Sequence, residues 1–301
     1  MTRLGFVGLG MMGAPIARRL LAAGHELLVH DRAADAVGRL VEAGAVAARS
    51  PADAASGAAA VFLSLPGPPE VTVVVEGDGG VLQADPRPAL IVDLSTNAPS
   101  AVLALSERCR DAGVAFVDAP VSGGAARAVT GELSVMVGAS PDDHDAAAPL
   151  LGCFASEVFH VGPTGAGTVA KLANNQLFLG AALVVQEAYL LAASAGLEPN
   201  DLHPILKASS ASAYASLAPL LLGRRFDDVI FRLDIAAKDL QLAVDAAHAV
   251  GVDVPVSAAA ADVYRAAVVS GDGDVAFHAT LRELERRAHR ELPPLERRPR
   301  P

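Results

Sequence analysis

Lys171 and Asn175 stand four residues apart in Gly165-Ala166-Gly167-Thr168-Val169-Ala170-Lys171-Leu172-Ala173-Asn174-Asn175. On a helix that spacing puts both side chains on one face. An amine there can give or take a proton, and a carboxamide beside it can hold a polar ligand. Leu172, Ala173 and Leu177 nearby are apolar, so the lysine is costly without a partner or a task. Alone, the pattern reads more readily as a surface lysine whose stem snorkels. A second candidate is Asp118-Ala119-Pro120-Val121-Ser122-Gly123-Gly124. Ser122 offers a hydroxyl, and Gly123 and Gly124 offer unobstructed N–H groups. Such a nest suits a carboxylate, although alone it reads as a turn. A third, Phe231-Arg232-Leu233-Asp234-Ile235-Ala236-Ala237-Lys238-Asp239-Leu240, reads alone as a charged face at a helix start. No His, Asp and Glu set stands at metal-ligand spacing, so no metal is expected.

Gly8-Leu9-Gly10-Met11-Met12-Gly13 follows a predicted strand and opens a predicted helix. The first glycine allows the tight turn, the second lets backbone approach a pyrophosphate, and the third lets helix pack on strand. The helix start supplies N–H groups for a diphosphate. A second predicted strand leads to Asp31, whose carboxylate can accept from the adenosine ribose hydroxyls. Arg32 beside it could pair with a 2′-phosphate or stack on adenine, but Asp31 would repel that phosphate. NAD is favoured and NADP stays open.

These residues need a scaffold. Short apolar runs at Leu4–Val7, Leu27–His30, Val61–Leu65, Leu90–Leu94, Val114–Val117, Ser134–Val137 and Val158–Val161 read as strands. Helical stretches lie between several of them, at Ala14–Ala23, Ala34–Ala43, Pro51–Ala55 and Ala101–Ala112. Buried strands alternating with Ala-rich helices mean a mainly parallel sheet covered on both faces. After Gly162 only helices are predicted: Thr168–Ala195, Asn200–Ala208, Ala213–Leu222, Ile235–Val250 and Val256–Ser270. The expectation is an α/β fold, an N-terminal Rossmann-type doubly wound parallel sheet followed by an all-α domain. The expected boundaries are 1–162 for the dinucleotide-binding domain and 163–290 for a helical substrate and oligomerisation domain. Residues 291–301, rich in Arg and Pro, are expected to fray.

The chain has 301 residues, room for about two domains at roughly 150 residues each. A hydrophobic fraction of 52% and a charged fraction of 19% exclude wholesale disorder. A net charge of −10 argues against nucleic acid as a partner. The two cysteines, Cys109 and Cys153, make neither a disulfide framework nor a zinc site and read as small buried apolar side chains. The start runs at once into a strand pattern, so no signal peptide is expected. Gln186 and Glu187 interrupt the apolar stretch Leu177–Leu197, which would be costly in lipid. That stretch reads as a buried helix in a soluble, cytoplasmic protein without a membrane partner.

The glycine turn, DAPVSGG, GxGxxxKxxNN and FRxDxxxKDL occur in this order over about residues 3 to 285. In this combination the chain resembles the β-hydroxyacid dehydrogenase family, which includes 3-hydroxyisobutyrate dehydrogenase and 2-hydroxy-3-oxopropionate reductase. The resemblance implies that Lys171 is the catalytic acid/base and that Asn175 acts beside it. Related 6-phosphogluconate dehydrogenases carry His-Asn where this chain has Asn174-Asn175. The resemblance further places Ser122, Gly123, Gly124 and Asn174 at the substrate. It places Gly8, Leu9, Gly10, Met11, Met12, Gly13, Asp31, Arg32, Leu65, Pro66, Thr96, Phe231 and Lys238 at the nicotinamide cofactor. The implied activity is interconversion of a small 3-hydroxy or 2-hydroxy acid and its oxo acid or semialdehyde. A homodimer or homotetramer is expected, with the Lys171 helix between the domains. Two alternatives share the architecture. Imine reductases usually lack a lysine at the catalytic position, and non-catalytic dehydrogenase-like scaffolds commonly lose it.

Overall fold

The computed structural model describes residues 1–295. The chain divides into two compact units, Met1–Lys171 and the residues from Leu172 onward.

The first unit holds a nine-stranded sheet. Its strands are β1 Arg3–Val7, β2 Glu26–His30, β3 Val46–Ala47, β4 Ala60–Leu63, β5 Leu90–Asp93, β6 Ala115–Asp118, β7 Val121–Ser122, β8 Leu133–Gly138 and β9 Ala155–Gly162. The order is β3-β2-β1-β4-β5-β6-β8-β7, with β9 also paired to β8. The first six run parallel, and β8 pairs antiparallel with β6 and β7. The helices are α1 Gly13–Ala22, α2 Ala34–Val41, α3 Pro51–Ala55, α4 Pro68–Glu76, α5 Pro99–Asp111, α6 Gly124–Thr130 and α7 Pro141–Leu151.

Strand side chains alternate between two cores, as a period of two requires. Leu4, Phe6, Phe62, Val92 and Val117 join Ile16 and Leu20 of α1 in one. Val7, Val61, Leu63, Ile91 and Phe116 join Val71 and Val75 of α4 and Val102 and Leu105 of α5 in the other. Helices on both faces explain why these strands are apolar throughout. Ser50 and Ser140 start α3 and α7 by accepting the N–H of Asp53 at 3.1 Å and of Asp143 at 3.2 Å. Cys109 is buried, and burial pushes its thiol up to about 12, whereas Cys153 is only half-buried, contrary to expectation.

The long helix α8, Ala166–Ser194, begins in the first unit and continues into the second. The second unit adds α9 Pro199–Lys207, α10 Ser212–Ala215, α11 Ala218–Leu221, α12 Leu233–Ala249, α13 Pro255–Ala267 and α14 Thr280–Ala288. Its core joins Leu179, Leu183 and Tyr189 of α8 to Leu240, Tyr264 and Leu284. Of the described helices, α8 alone is long and apolar enough to cross a membrane, and 44% of its most apolar window is buried within the protein. Gln186 is fully buried there and satisfied. Its Nε2 donates to the carbonyl of His278, and its Oε1 accepts the Thr280 hydroxyl, both at 2.8 Å.

Two further expectations need correction. The single helix expected over Ala213–Leu222 is two short ones, because Pro219 has no N–H with which to continue α10 and instead sits in the first turn of α11. Residues 291–295 do not fray. Leu292 and Leu295 are buried, Arg224 donates to the Leu292 carbonyl at 3.1 Å, and the Leu292 N–H donates to Glu285 at 2.7 Å. The rest of the expected frayed tail, 296–301, lies outside the described residues.

Candidate active site

Strand order reverses between β1 and β4, and ligands of open α/β sheets lie beyond the carboxyl ends of strands at such a point. The glycine turn is there. Gly8 has φ +94°, and a Cβ on it would collide with the Ser64 carbonyl; a Cβ on Gly13 would collide with the Gly8 carbonyl. Gly10 has open space where a Cβ would be. The turn therefore needs glycine twice for its own packing and leaves its middle accessible. A hollow of about 420 Å³ opens beside it, lined among others by Leu9, Gly10, Met11, Asp31 and Arg39. The Asp31 carboxylate accepts the N–H of Leu9 at 2.6 Å and of Ala33 at 2.7 Å. It thereby ties the glycine turn to the start of α2. Met12 is half-buried, and Arg32 is exposed. These residues fit a dinucleotide.

A second group follows β4 and β5. The Leu65 N–H donates to Ser95 Oγ at 2.9 Å. Buried Asp93 accepts the Ser95 N–H at 3.0 Å and Asn97 Nδ2 at 3.1 Å. This network holds Leu65, Pro66 and Thr96 at the sheet's carboxyl edge.

The nest follows β6. Ala119 donates its N–H to the Asp93 carbonyl at 2.8 Å, and the chain then enters β7, where Ser122 is register partner to Ser134. Gly123 and Gly124 both take positive φ, +127° and +73°, a succession that L side chains rarely adopt. Ser122 is half-buried and Gly123 is exposed.

Lys171 lies six residues into the 11-residue motif, in the second turn of α8, and is half-buried. Sequence reasoning missed the groups that hold this region. Asp118, 1% exposed, accepts the N–H of Gly165 at 2.6 Å and of Thr168 at 2.7 Å. Burial pushes its carboxyl up to about 6, against the downward pull of those two N–H groups.

In the second unit, buried Asn175 donates Nδ2 to Asp239 at 2.7 Å, and its Oδ1 accepts from Asn174 at 3.1 Å. Asp239 is also buried and pairs with Lys238 Nζ at 2.6 Å. Asp239 was missed as well. Its signal was a carboxylate on the same helix face as the core residues Ala236, Leu240 and Ala243. Phe231 packs on Phe277, ring centres 5.9 Å apart. Among the described residues no cluster of three His, Cys, Asp or Glu could hold a metal.

A glycine turn at a strand-order reversal, with an amine-bearing helix anchored at the same edge, defines a nicotinamide-dependent oxidoreductase. Comparison with known proteins agrees. The family model for the NAD binding domain of 6-phosphogluconate dehydrogenase matches residues 3–162. The model for the NAD-binding region of NADP-dependent 3-hydroxyisobutyrate dehydrogenase matches residues 165–284. The chain belongs to the β-hydroxyacid dehydrogenase family. It is 38% identical to NAD-dependent L-serine dehydrogenase of Pseudomonas aeruginosa, over 90% of this chain and 94% of that protein. It is 35% identical to 2-(hydroxymethyl)glutarate dehydrogenase of Eubacterium barkeri, over 94% of this chain and 95% of that one. The solved structure of Mycobacterium tuberculosis 3-hydroxyisobutyrate dehydrogenase with L-serine superposes with a TM-score of 0.84 at 30% identity, covering 94% of this chain and 99% of that one. An imine reductase of Myxococcus stipitatus, at 17% identity and a TM-score of 0.66, shares the fold alone.

Proposed function

We propose that the protein interconverts small 3-hydroxy acids and their semialdehydes, with Lys171 as general acid/base. One observation carries this reading. Lys171 rides on a helix whose start is pinned by Asp118, and Asp118 ends the strand that leads into Ser122, Gly123 and Gly124. A proton-transfer group and a carboxylate nest are thereby built from one sheet edge. The named relatives add the chemistry. Serine, 2-(hydroxymethyl)glutarate and 3-hydroxyisobutyrate all carry a CH2OH group on the carbon next to a carboxylate. That favours a 3-hydroxy over a 2-hydroxy acid.

The nicotinamide ring, when bound, supplies hydride transfer at the alcohol carbon. Ser122 and the glycine N–H groups hold the substrate carboxylate. The Lys171 amine takes the hydroxyl proton in oxidation; its ammonium form returns it as charge builds on the carbonyl oxygen in reduction. Asn175, held by Asp239, orients the substrate with Asn174 beside it. Leu65, Pro66 and Thr96 line the cofactor side.

NAD is the favoured cofactor. Both oxygens of Asp31 are already drawn to backbone N–H groups, so the carboxylate cannot swing away from a ribose 2′-phosphate. Spare lone pairs can still accept from a free 2′-hydroxyl.

A second copy of this chain is the proposed partner. Leu177, Val184 and Leu191 on α8 are 70%, 57% and 73% exposed. Their seven-residue spacing makes one seam that an identical seam can match. Val184→Glu with Leu191→Lys should convert a dimer or tetramer to smaller species in light scattering; an unchanged mass would contradict this contact.

The activity is tested with 3-hydroxyisobutyrate and with 1-propanol, its decarboxylated counterpart. The acid should be favoured by at least about 100-fold in kcat/KM, because the alcohol leaves the nest's donors unpaired. Equal rates would show that the nest does not read a carboxylate and would reopen the imine-reductase reading.

A further inference from the structure

The first turn of α8 lacks an ordinary cap. Its first intrahelical bond runs from the Val169 N–H to the Gly165 carbonyl at 3.1 Å, which makes Gly165 the cap residue. A cap side chain normally accepts the N–H of the third helical residue, here Thr168. Gly165 has no side chain. Asp118 takes that place from 50 residues earlier in the chain, and it takes the Gly165 N–H as well.

The contact is backbone against backbone. Gly138 is the register partner of Asp118 on β8. A Cβ on Gly138 would collide with the Asp118 carboxylate and would lie 2.8 Å from the Gly167 nitrogen. A Cβ on Gly167 would collide with the Met136 carbonyl and lie 2.7 Å from the Asp118 carbonyl. Two glycines thus remove the spacers that would hold the helix start off the sheet. The carboxylate is costly where it is: it is buried, and its proton is held up to about 6. Gly165 itself takes φ +95°, where an L side chain is strained, so the serine cap that starts α3 and α7 is closed to this helix and its acceptor comes from the sheet.

Position explains the arrangement. Asp118 lies four residues before Ser122 on one side, and Thr168 lies three residues, close to one turn, before Lys171 on the other. We infer that Asp118 is a positioning residue that fixes Lys171 relative to the Ser122–Gly124 nest, by holding the first turn of α8 against the end of β6. The inference rests on the acid/base role given to Lys171 above. Asp118 touches no reacting atom in this account. It sets the distance between the group that moves the proton and the donors that hold the substrate, and small misplacements of that kind slow turnover strongly.

A double-mutant cycle on the full-length enzyme tests it. Asp118→Asn keeps the shape but leaves only one oxygen for two N–H groups. It should lower kcat about 10- to 100-fold with 3-hydroxyisobutyrate while the NADH Kd stays within about threefold. In the Lys171→Ala background the same substitution should change kcat by less than about threefold, because no amine is left to position. If Asp118→Asn does not accumulate as folded protein, Asp118→Glu runs the same cycle, with both oxygens kept one methylene further out. A kcat within twofold of the parent, or losses that multiply in the double variant, would overturn the inference. A Lys171→Ala enzyme that keeps its kcat would instead show that the acid/base reading itself is wrong.

Discussion

Asp93 and Asp118 are register partners at the carboxyl ends of the neighbouring parallel strands β5 and β6. Both are buried, and each holds a different part of the site. Asp93 fixes the segment with Ser95 and Asn97, and through Ser95 the Leu65 N–H. Asp118 fixes the helix that carries Lys171. The sheet therefore ends in two carboxylates, one holding the segments after β4 and β5 and one holding the start of α8.

Asp93→Ala should loosen the cofactor side first. It strands the Ser95 N–H and the Asn97 amide in a buried position, at about 1–3 kcal/mol for each unmet donor. The NADH Kd should rise about tenfold, and urea denaturation should show a loss of about 3 kcal/mol. An unchanged Kd in a folded variant would mean that Leu65 and Thr96 do not depend on Asp93.

Asp118 should make stability depend on pH with a definite sign. Its carboxyl is raised from 3.8 to about 6 by burial, so between those values the folded state holds the proton more tightly than the unfolded chain. Stability then falls as pH rises from about 4 to about 6 and levels off above, for a total of about 3 kcal/mol. Other carboxylates, such as Asp53 beside Arg49, are lowered and act oppositely. The contrast with Asp118→Asn isolates this one group. Denaturation curves from pH 4.5 to 7.5 check it; parallel profiles for parent and variant would contradict it.

Much of this scaffold is legible in the chain, and what is not has physical reasons. The run Leu90–Leu94 becomes the strand Leu90–Asp93 because all its side chains are buried. β3 was missed because Val46 and Ala47 are exposed and pair with β2 through backbone alone. α14 carries six charged or polar residues among nine positions and shows no long apolar run, yet it buries Leu281 and Leu284. Lys171, Asn175 and the glycine turns stand out because their spacing is local. Asp118 and Asp239 do not, since the contacts that tie them to α8 span 47 to 64 residues.

Asp31→Asn should shift cofactor preference. It removes the charge that opposes a 2′-phosphate but keeps one acceptor for the glycine turn. The ratio of NADPH to NADH Kd should exceed one in the parent and fall at least about tenfold in the variant, about 1.4 kcal/mol for a lost charge repulsion. Tighter NADPH than NADH binding by the parent enzyme would contradict the assignment.

Asp239→Asn should act through Asn175 and Lys238 together. The pair loses its charge, and one oxygen is left to accept from both the Asn175 amide and Lys238, with an NH2 group set against the other. kcat/KM for a 3-hydroxy acid should fall about 10- to 100-fold, the effect of about 1.5–3 kcal/mol from one charge-assisted hydrogen bond. Asn175→Ala should give a similar loss. Full activity in both variants would remove this network from the site.

Lys171 as acid/base is the central claim, and the turnover number of Lys171→Ala tests it most directly. With saturating cofactor and 3-hydroxyisobutyrate, kcat should fall about 10²–10⁴-fold, the usual range for loss of general acid/base catalysis, while titrated NADH binding stays close to that of the parent. A kcat that survives with only a raised KM would show that Lys171 binds substrate without moving its proton.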